Sequence, residues 1–163
     1  MSLNLVLPIN KINLDNIICF QKQKNNIMQN SDFYKLIYSD EYSILNGVFF
    51  SLLFKDIFIE KYFNKIKCTI SKTQFNKVII KNIYETEKNI LLKFKNYFQK
   101  YKPVYRIFEQ LNNYNIKLQS SKIQKYTTYK VVKFFIKISG IWCSHENKTY
   151  GLTFKFFNEN ERI

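Results

Sequence analysis

The stretch KVVKFFIKISGIW, residues 130–142, decides how the chain is to be read. In a β-strand, side chains alternate between two faces. One face then receives Val132, Phe134, Ile136 and Ile138, an unbroken apolar row suited to a core. The other receives Val131, Lys133, Phe135, Lys137 and Ser139, where lysines that belong in water flank a ring that does not. Two arrangements satisfy that second row. Either the lysines and the ring form an exposed platform for an anionic, aromatic partner, or Phe135 packs beneath a helix while the lysines reach past its rim.

Downstream, a polar segment Cys143–Thr149 leads into Tyr150–Phe157, which alternates again. Leu152, Phe154 and Phe156 fall on one side, Thr153, Lys155 and Phe157 on the other, so the pair predicts a C-terminal β-hairpin. Upstream, Ser71 and Gln74 have capping-box spacing, with Ile70 and Phe75 placed as a hydrophobic staple. Phe75, Ile79, Ile83, Ile90, Phe94 and Phe98 follow a helical stripe, and Pro103 bars continuation. These signals predict one helix over Lys72–Gln99. Strands are expected at Leu3–Leu7, Asn16–Phe20, Phe33–Tyr38, Ser43–Phe54 with a bend at Gly47, Ile66–Ile70, Val104–Leu111 and Asn115–Gln119. With only 3 glycines and 2 prolines, turns such as Ser39-Asp40-Glu41 must rely on Asn, Asp and Ser. Strands, one helix, then strands predicts an α+β, mainly β fold. The expectation is an OB-like, partly open barrel with one long helix between strands. It forms a single domain over 1–163, with a loosely patterned lead-in (1–30), a barrel core (31–157) and a short tail (158–163). OB-folds bind oligonucleotides on such barrels.

A chain of 163 residues with 46% apolar side chains can bury roughly 70% of its unfolded surface in one domain. The formal charge of +14 points to an anionic partner, nucleic acid or an acidic surface. Of the 26 basic residues only Arg106 and Arg162 are arginines, and Lys, Asn, Ile, Phe and Tyr, all specified by A/T-rich codons, are abundant. Codon bias is therefore a competing source of the charge, and its placement says more than its total. Cys19, Cys68 and Cys143 are widely spaced and read as reduced thiols. The N-terminus carries no secretory signal pattern, and the apolar run Ile44–Phe54 is too short to span a bilayer. An intracellular protein without membrane attachment is expected.

Catalysis finds little support. His145 is the only histidine and sits in a polar loop, where the expectation is a solvated ring. The scattered cysteines offer no zinc pattern, three glycines cannot build a phosphate loop, and Asp40-Glu41 suits a turn better than a metal site. The expectation is a non-enzyme without metal or cofactor. The binding candidates are Lys133, Phe135, Lys137, Lys155 and Phe157, whose ammonium groups can follow phosphates while the rings stack on bases. Tyr34, Lys35 and Arg106 stand beside them, and Phe33, Tyr34, Lys35 and Tyr38 repeat the signal more weakly. Trp142 is expected to anchor the core at the strand end.

The segment Phe33–Phe50 (FYKLIYSDEYSILNGVFF), together with Ile138–Trp142 and Tyr150–Phe156, resembles a family of small proteins from nucleocytoplasmic large DNA viruses. Through that family the chain resembles OB-fold single-stranded-DNA-binding proteins of podophage type. The resemblance spans about residues 31–157 and rests on structural rather than catalytic motifs. It implies a helix between the third and fourth barrel strands, and a closing hairpin shaped by Ser139-Gly140 and Tyr150-Gly151. It also implies a role in coating unwound DNA during replication, beside other replication proteins, in the cytoplasm or viral replication factory of an infected cell; the residues themselves leave RNA open as the alternative strand. The last residues, Asn158–Ile163, depart from the acidic tail such proteins often carry, which weakens the case for tail-mediated recruitment. The alternative is a virion structural or protein-interaction component.

Overall fold

The computed structural model describes residues 6–63, 65–118 and 126–158. The tail beyond residue 158, Gln119 and most of the strand expected at Leu3–Leu7 lie outside them. The elements in order are β1 (Leu7–Pro8), β2 (Ile17–Lys24), β3 (Ser31–Ser39), β4 (Ile44–Leu45), β5 (Val48–Tyr62) and β6 (Lys65–Ile70). Then follow α1 (Gln74–Lys93), β7 (Lys102–Val104), α2 (Arg106–Asn112), β8 (Asn115–Leu118), β9 (Tyr126–Ser144) and β10 (Thr149–Asn158). The protein is mainly β, and β9, which contains the stretch 130–142, organises the sheet.

One edge of β9 serves two partners in succession. It runs antiparallel to β5 from Glu60↔Tyr126 to Val48↔Ile138, then to β3 from Lys35↔Gly140 to Ser31↔Ser144. The other edge pairs with β10, which completes the expected hairpin. At the changeover, Thr153 opposes Gly140 while Phe154 opposes Ile138, so Ser139 is an extra residue on β9. Such a bulge bends and twists a strand, and here it lets β9 leave β5 and join β3. Gly140 is required by contact: a Cβ there would meet the Phe33 ring at 2.3 Å and the Tyr34 carbonyl oxygen at 2.5 Å.

Beyond β9 the sheet continues from β5 through β6 to β8, and from β3 to β2. All pairings are antiparallel except the short β1–β5 and β7–β10 contacts. β8 approaches β10 without pairing with it, so the sheet curls but stays open. The segment expected as a loose lead-in is built into this sheet: β2 pairs with β3, and Ile17 is in the core.

The apolar row of the opening stretch does line the core. Phe134, Ile136 and Ile138 are fully buried and Val132 packs at the margin. They meet Val48, Phe50, Leu52 and Phe54 from β5, Leu152 and Phe156 from β10, and the inward residues of α1 and α2. In β5 the buried positions change from even to odd numbers at Asp56, whose φ is 53°. This break is why Lys55-Asp56 resembles a strand end in the sequence, although β5 continues to Tyr62. It is held by Asn76 of α1, fully buried, whose side-chain oxygen accepts from Lys55 N at 2.9 Å. The same side chain donates to the Lys55 and Ser71 carbonyls at 2.7 and 2.8 Å. An asparagine so satisfied adds specificity without an orphaned polar group.

Three expectations need correction. The strand expected over Val104–Leu111 is mostly α2; Ile107 and Leu111, four residues apart, are its buried stripe. The β-branched and aromatic residues there suggested a strand, but the N-terminus of α2 is capped from outside the segment. Glu87, buried in α1, accepts from Ile107 N at 3.1 Å and Phe108 N at 2.9 Å. The single helix expected over Lys72–Gln99 ends at Lys93 and is followed by a 3₁₀ turn, Lys95–Phe98. Its cap is Thr73, which accepts from Asn76 N, whereas Ser71 donates its hydroxyl to the Asp56 carbonyl. Finally, the strand expected from Ser43 is divided near Gly47 (φ 116°) into β4 and β5. Among the described residues, no helix is long and apolar enough to cross a membrane.

Candidate functional site

The lysine–phenylalanine row of β9 lies on the sheet face opposite the buried row. Lys133 is exposed, and Phe135 and Lys137 are half-buried. Register places Lys155 of β10 directly opposite Lys137, and Phe157 opposite Phe135. On the other flank, β5 sets Phe49 against Lys137, Ser51 against Phe135 and Leu53 against Lys133. Five of the eight candidate residues therefore share one three-stranded patch. Ile79 and Asn82 of α1 share a pocket with Ser51, Leu53 and Lys133 at one end of the patch, while the buried side chains of α1 cluster with the opposite row of β9. Of the two arrangements open to the row, the one with Phe135 beneath a helix is not adopted.

Each lysine of the patch lies near a ring. The ammonium of Lys155 is 4.8 Å from the Phe157 centroid, that of Lys137 5.2 Å from Phe49, and that of Lys133 5.9 Å from Phe135. Such contacts are attractive to the ring faces and leave the positive charge of each ammonium in place. Like charges directly opposite on a sheet are destabilising, yet no carboxylate occupies a facing position beside the Lys137–Lys155 pair. The opposed Lys67 and Lys117 of β6 and β8 differ, because Glu60 lies 3.9 Å from Lys67.

The remaining candidates are distributed differently. Lys35 is opposite Gly140, which is opposite Thr153, so it falls on the same face as the patch. Tyr34 alternates to the core side, where it meets Phe98 edge-on at 4.9 Å, and Phe98 stacks on Tyr150 at 4.6 Å. It is thus removed from the lysine face, and burial raises its hydroxyl pKa. Arg106, at the start of α2, places its guanidinium 5.0 Å from the Trp142 ring centroid. Trp142 is buried as expected, but it also walls a pocket of about 400 Å³ at the end of the patch, beside Phe33, Ser139 and Thr153. The contribution of Phe33, Phe49 and Leu53 depends on which strands lie beside β9, a fact no local pattern carries.

His145 departs from expectation too. Its Nε2 is 2.9 Å from Asp32, and its Nδ1 is 2.8 Å from the Tyr101 hydroxyl. Lys22 also pairs with Asp32 at 3.3 Å. The ring joins the β9–β10 turn to the start of β3 and to the segment before β7, so it is partnered rather than merely solvated. Asp40 behaves as expected of a turn residue: its carboxylate accepts from the N–H groups of Tyr42 and Ser43 and from the Ser43 hydroxyl. These donors hold its pKa below the usual value. Among the described residues, no group of three or more His, Cys, Asp or Glu side chains is arranged to hold a metal ion. Compared with protein-family models, with curated proteins and with solved structures, the chain matches none.

Proposed function

We propose that the protein binds single-stranded nucleic acid, DNA in the first instance, through the lysine–aromatic face of β5, β9 and β10, and that it does so without catalysis. The observation that carries the reading is the directly opposed Lys137–Lys155 pair, with rings beside it and, among the described residues, no carboxylate at a facing position. A phosphate between the two ammonium groups turns a repulsive pair into an attractive one, while Phe49, Phe135 and Phe157 offer π-faces to bases. Arg106 is a secondary contact, and Lys35 extends the charged track. An OB-like description of the curled sheet is part of the same proposal, supported by α1 lying in sequence between β6 and the long hairpin. A place in viral DNA replication, inside an infected cell and beside other replication proteins, follows only from the resemblance and belongs to the proposal on that footing.

Fluorescence anisotropy with labelled oligonucleotides tests it. Binding to a single strand in preference to duplex is expected at low salt, with affinity falling at least tenfold in Lys137→Ala/Lys155→Ala while the thermal midpoint is unchanged or raised. Equal preference for duplex, or no binding at low salt, sinks the reading. A protein-interaction role is the second reading, favoured by the half-exposed Ile18 (45%) and Phe20 (47%) on the outermost strand β2. It gains if replacing Phe135 and Lys137 leaves oligonucleotide binding unaltered.

A further inference from the structure

Where the lysine track reaches the bulge of β9, the same face continues into the pocket of about 400 Å³. Ser139 follows Lys137 by two residues, and Thr153 precedes Lys155 by two, so both hydroxyl residues extend the two lysine-bearing rows. Phe33 and Trp142, paired across β3 and β9, supply aromatic walls. The end of β2 adds Gln23 and Lys24 to the lining, and the turn that follows adds Asn26 and Ile27. That turn is shaped from within: the Asn25 carboxamide oxygen accepts from Ile27 N at 3.0 Å and Met28 N at 3.2 Å. Ile27 is left 93% exposed.

A volume near 400 Å³ lies at the lower end of the range for small-ligand sites, about 300–1,000 Å³. It suits one flat heterocycle and its sugar rather than a longer segment. Apolar rings for stacking, with amides and hydroxyls at the margin for in-plane hydrogen bonds, is how unstacked bases are held. A lipid or an apolar peptide side chain would leave those polar groups unmatched. The cationic approach along Lys137, Lys155 and Lys24 selects an occupant attached to phosphates.

We infer that this pocket takes one unstacked nucleobase of the bound strand, so that the face combines a backbone track with a single base-reading subsite. The inference rests on the nucleic-acid reading above and refines it. Trp142 is the sole tryptophan and forms part of the wall, so its emission reports occupancy directly.

The experiment titrates the full chain with a deoxythymidine oligonucleotide and with an abasic oligonucleotide of equal length, following anisotropy and Trp142 emission together. The thymidine strand should quench Trp142, and the abasic strand should bind more weakly without quenching. Ile27→Asp, an exposed change that folding tolerates, should remove most of the quenching and weaken thymidine-strand binding roughly tenfold, while abasic-strand binding falls far less. Binding of the thymidine strand with emission unchanged, or equal quenching by the abasic strand, overturns the pocket and leaves the proposed function standing. Absence of binding by either strand at low salt overturns both.

Discussion

Glu87 is a carboxylate buried inside a helix-on-helix contact, and its two oxygens are committed to the N–H groups of Ile107 and Phe108. Burial disfavours the charged form more than those donors favour it, so its pKa is pushed up to about 7. The folded state therefore retains a proton that the unfolded chain releases near the ordinary value of 4.5. Between these values stability declines as pH rises, by about 3 kcal/mol in total, and levels off above about 7. Chemical denaturation at pH 5, 6 and 7 should show this decline in the native chain. In Glu87→Gln the decline should largely disappear, though the variant is less stable at pH 5 because its amide can accept only one of the two N–H bonds. An identical pH profile for the two proteins would mean that Glu87 is not the titrating group. Asn76 differs, since it carries no charge to lose; its three hydrogen bonds make it a pH-independent brace.

At the level of elements, the bulge at Ser139 and the bare Gly140 act together. The bulge turns β9 towards β3, and the missing side chain lets Phe33 lie across the bend. Gly140→Ala must displace an aromatic ring and a backbone carbonyl, so a loss of about 2–4 kcal/mol is expected in equilibrium unfolding. Gly140→Ala/Phe33→Leu should recover part of that loss, because the smaller side chain makes room. No recovery would place the strain at the Tyr34 carbonyl. The alternation in β9 and β10 was legible in the sequence because each residue's face is a local property. The helical stripe of α1 was legible for the same reason, although its buried set uses Ile80, Glu87 and Leu91 where the pattern suggested Phe75. α2 was not legible, since its N-terminal N–H groups are satisfied by a glutamate on another helix. The continuation of β5 past Asp56 was hidden likewise, as the residue that holds the irregular backbone is Asn76, twenty positions downstream. In the candidate site, the lysines could be read from β9 and β10 alone. Phe33, Phe49 and Leu53 could not, because their place depends on the order of strands, and Tyr34 was misplaced because strand phase decides between adjacent residues.

For the molecule as a whole, the charge of +14 is a poor guide until it is divided by location. Lys22 and Lys67 have carboxylate partners, whereas Lys133, Lys137 and Lys155 share one face with no carboxylate partner among the described residues. Counterion release makes this division measurable. If those three lysines each neutralise one phosphate, they should contribute about −2 to the log–log slope of affinity against salt, at about −0.7 per contact. Replacing all three by alanine should make the slope shallower by about 2, leaving the smaller share of Lys35, Lys24 and Arg106. A slope unaffected by the triple replacement would assign the attraction to lysines elsewhere and return the charge to codon bias.

The order in which β9 finds its neighbours also bears on how the chain is made. Val48 pairs with Ile138 and Ser31 with Ser144, so two early strands must wait for a late one before either gains its central partner. Loop closure over such separations is slow, and unpaired edges are open to other chains in the interval. During synthesis α1 can form while β3 and β5 still lack the strand that joins them. The lysines of the late hairpin thus arrive with the strand that joins the two early halves of the sheet, so the lysine–aromatic face and the core are assembled in one event.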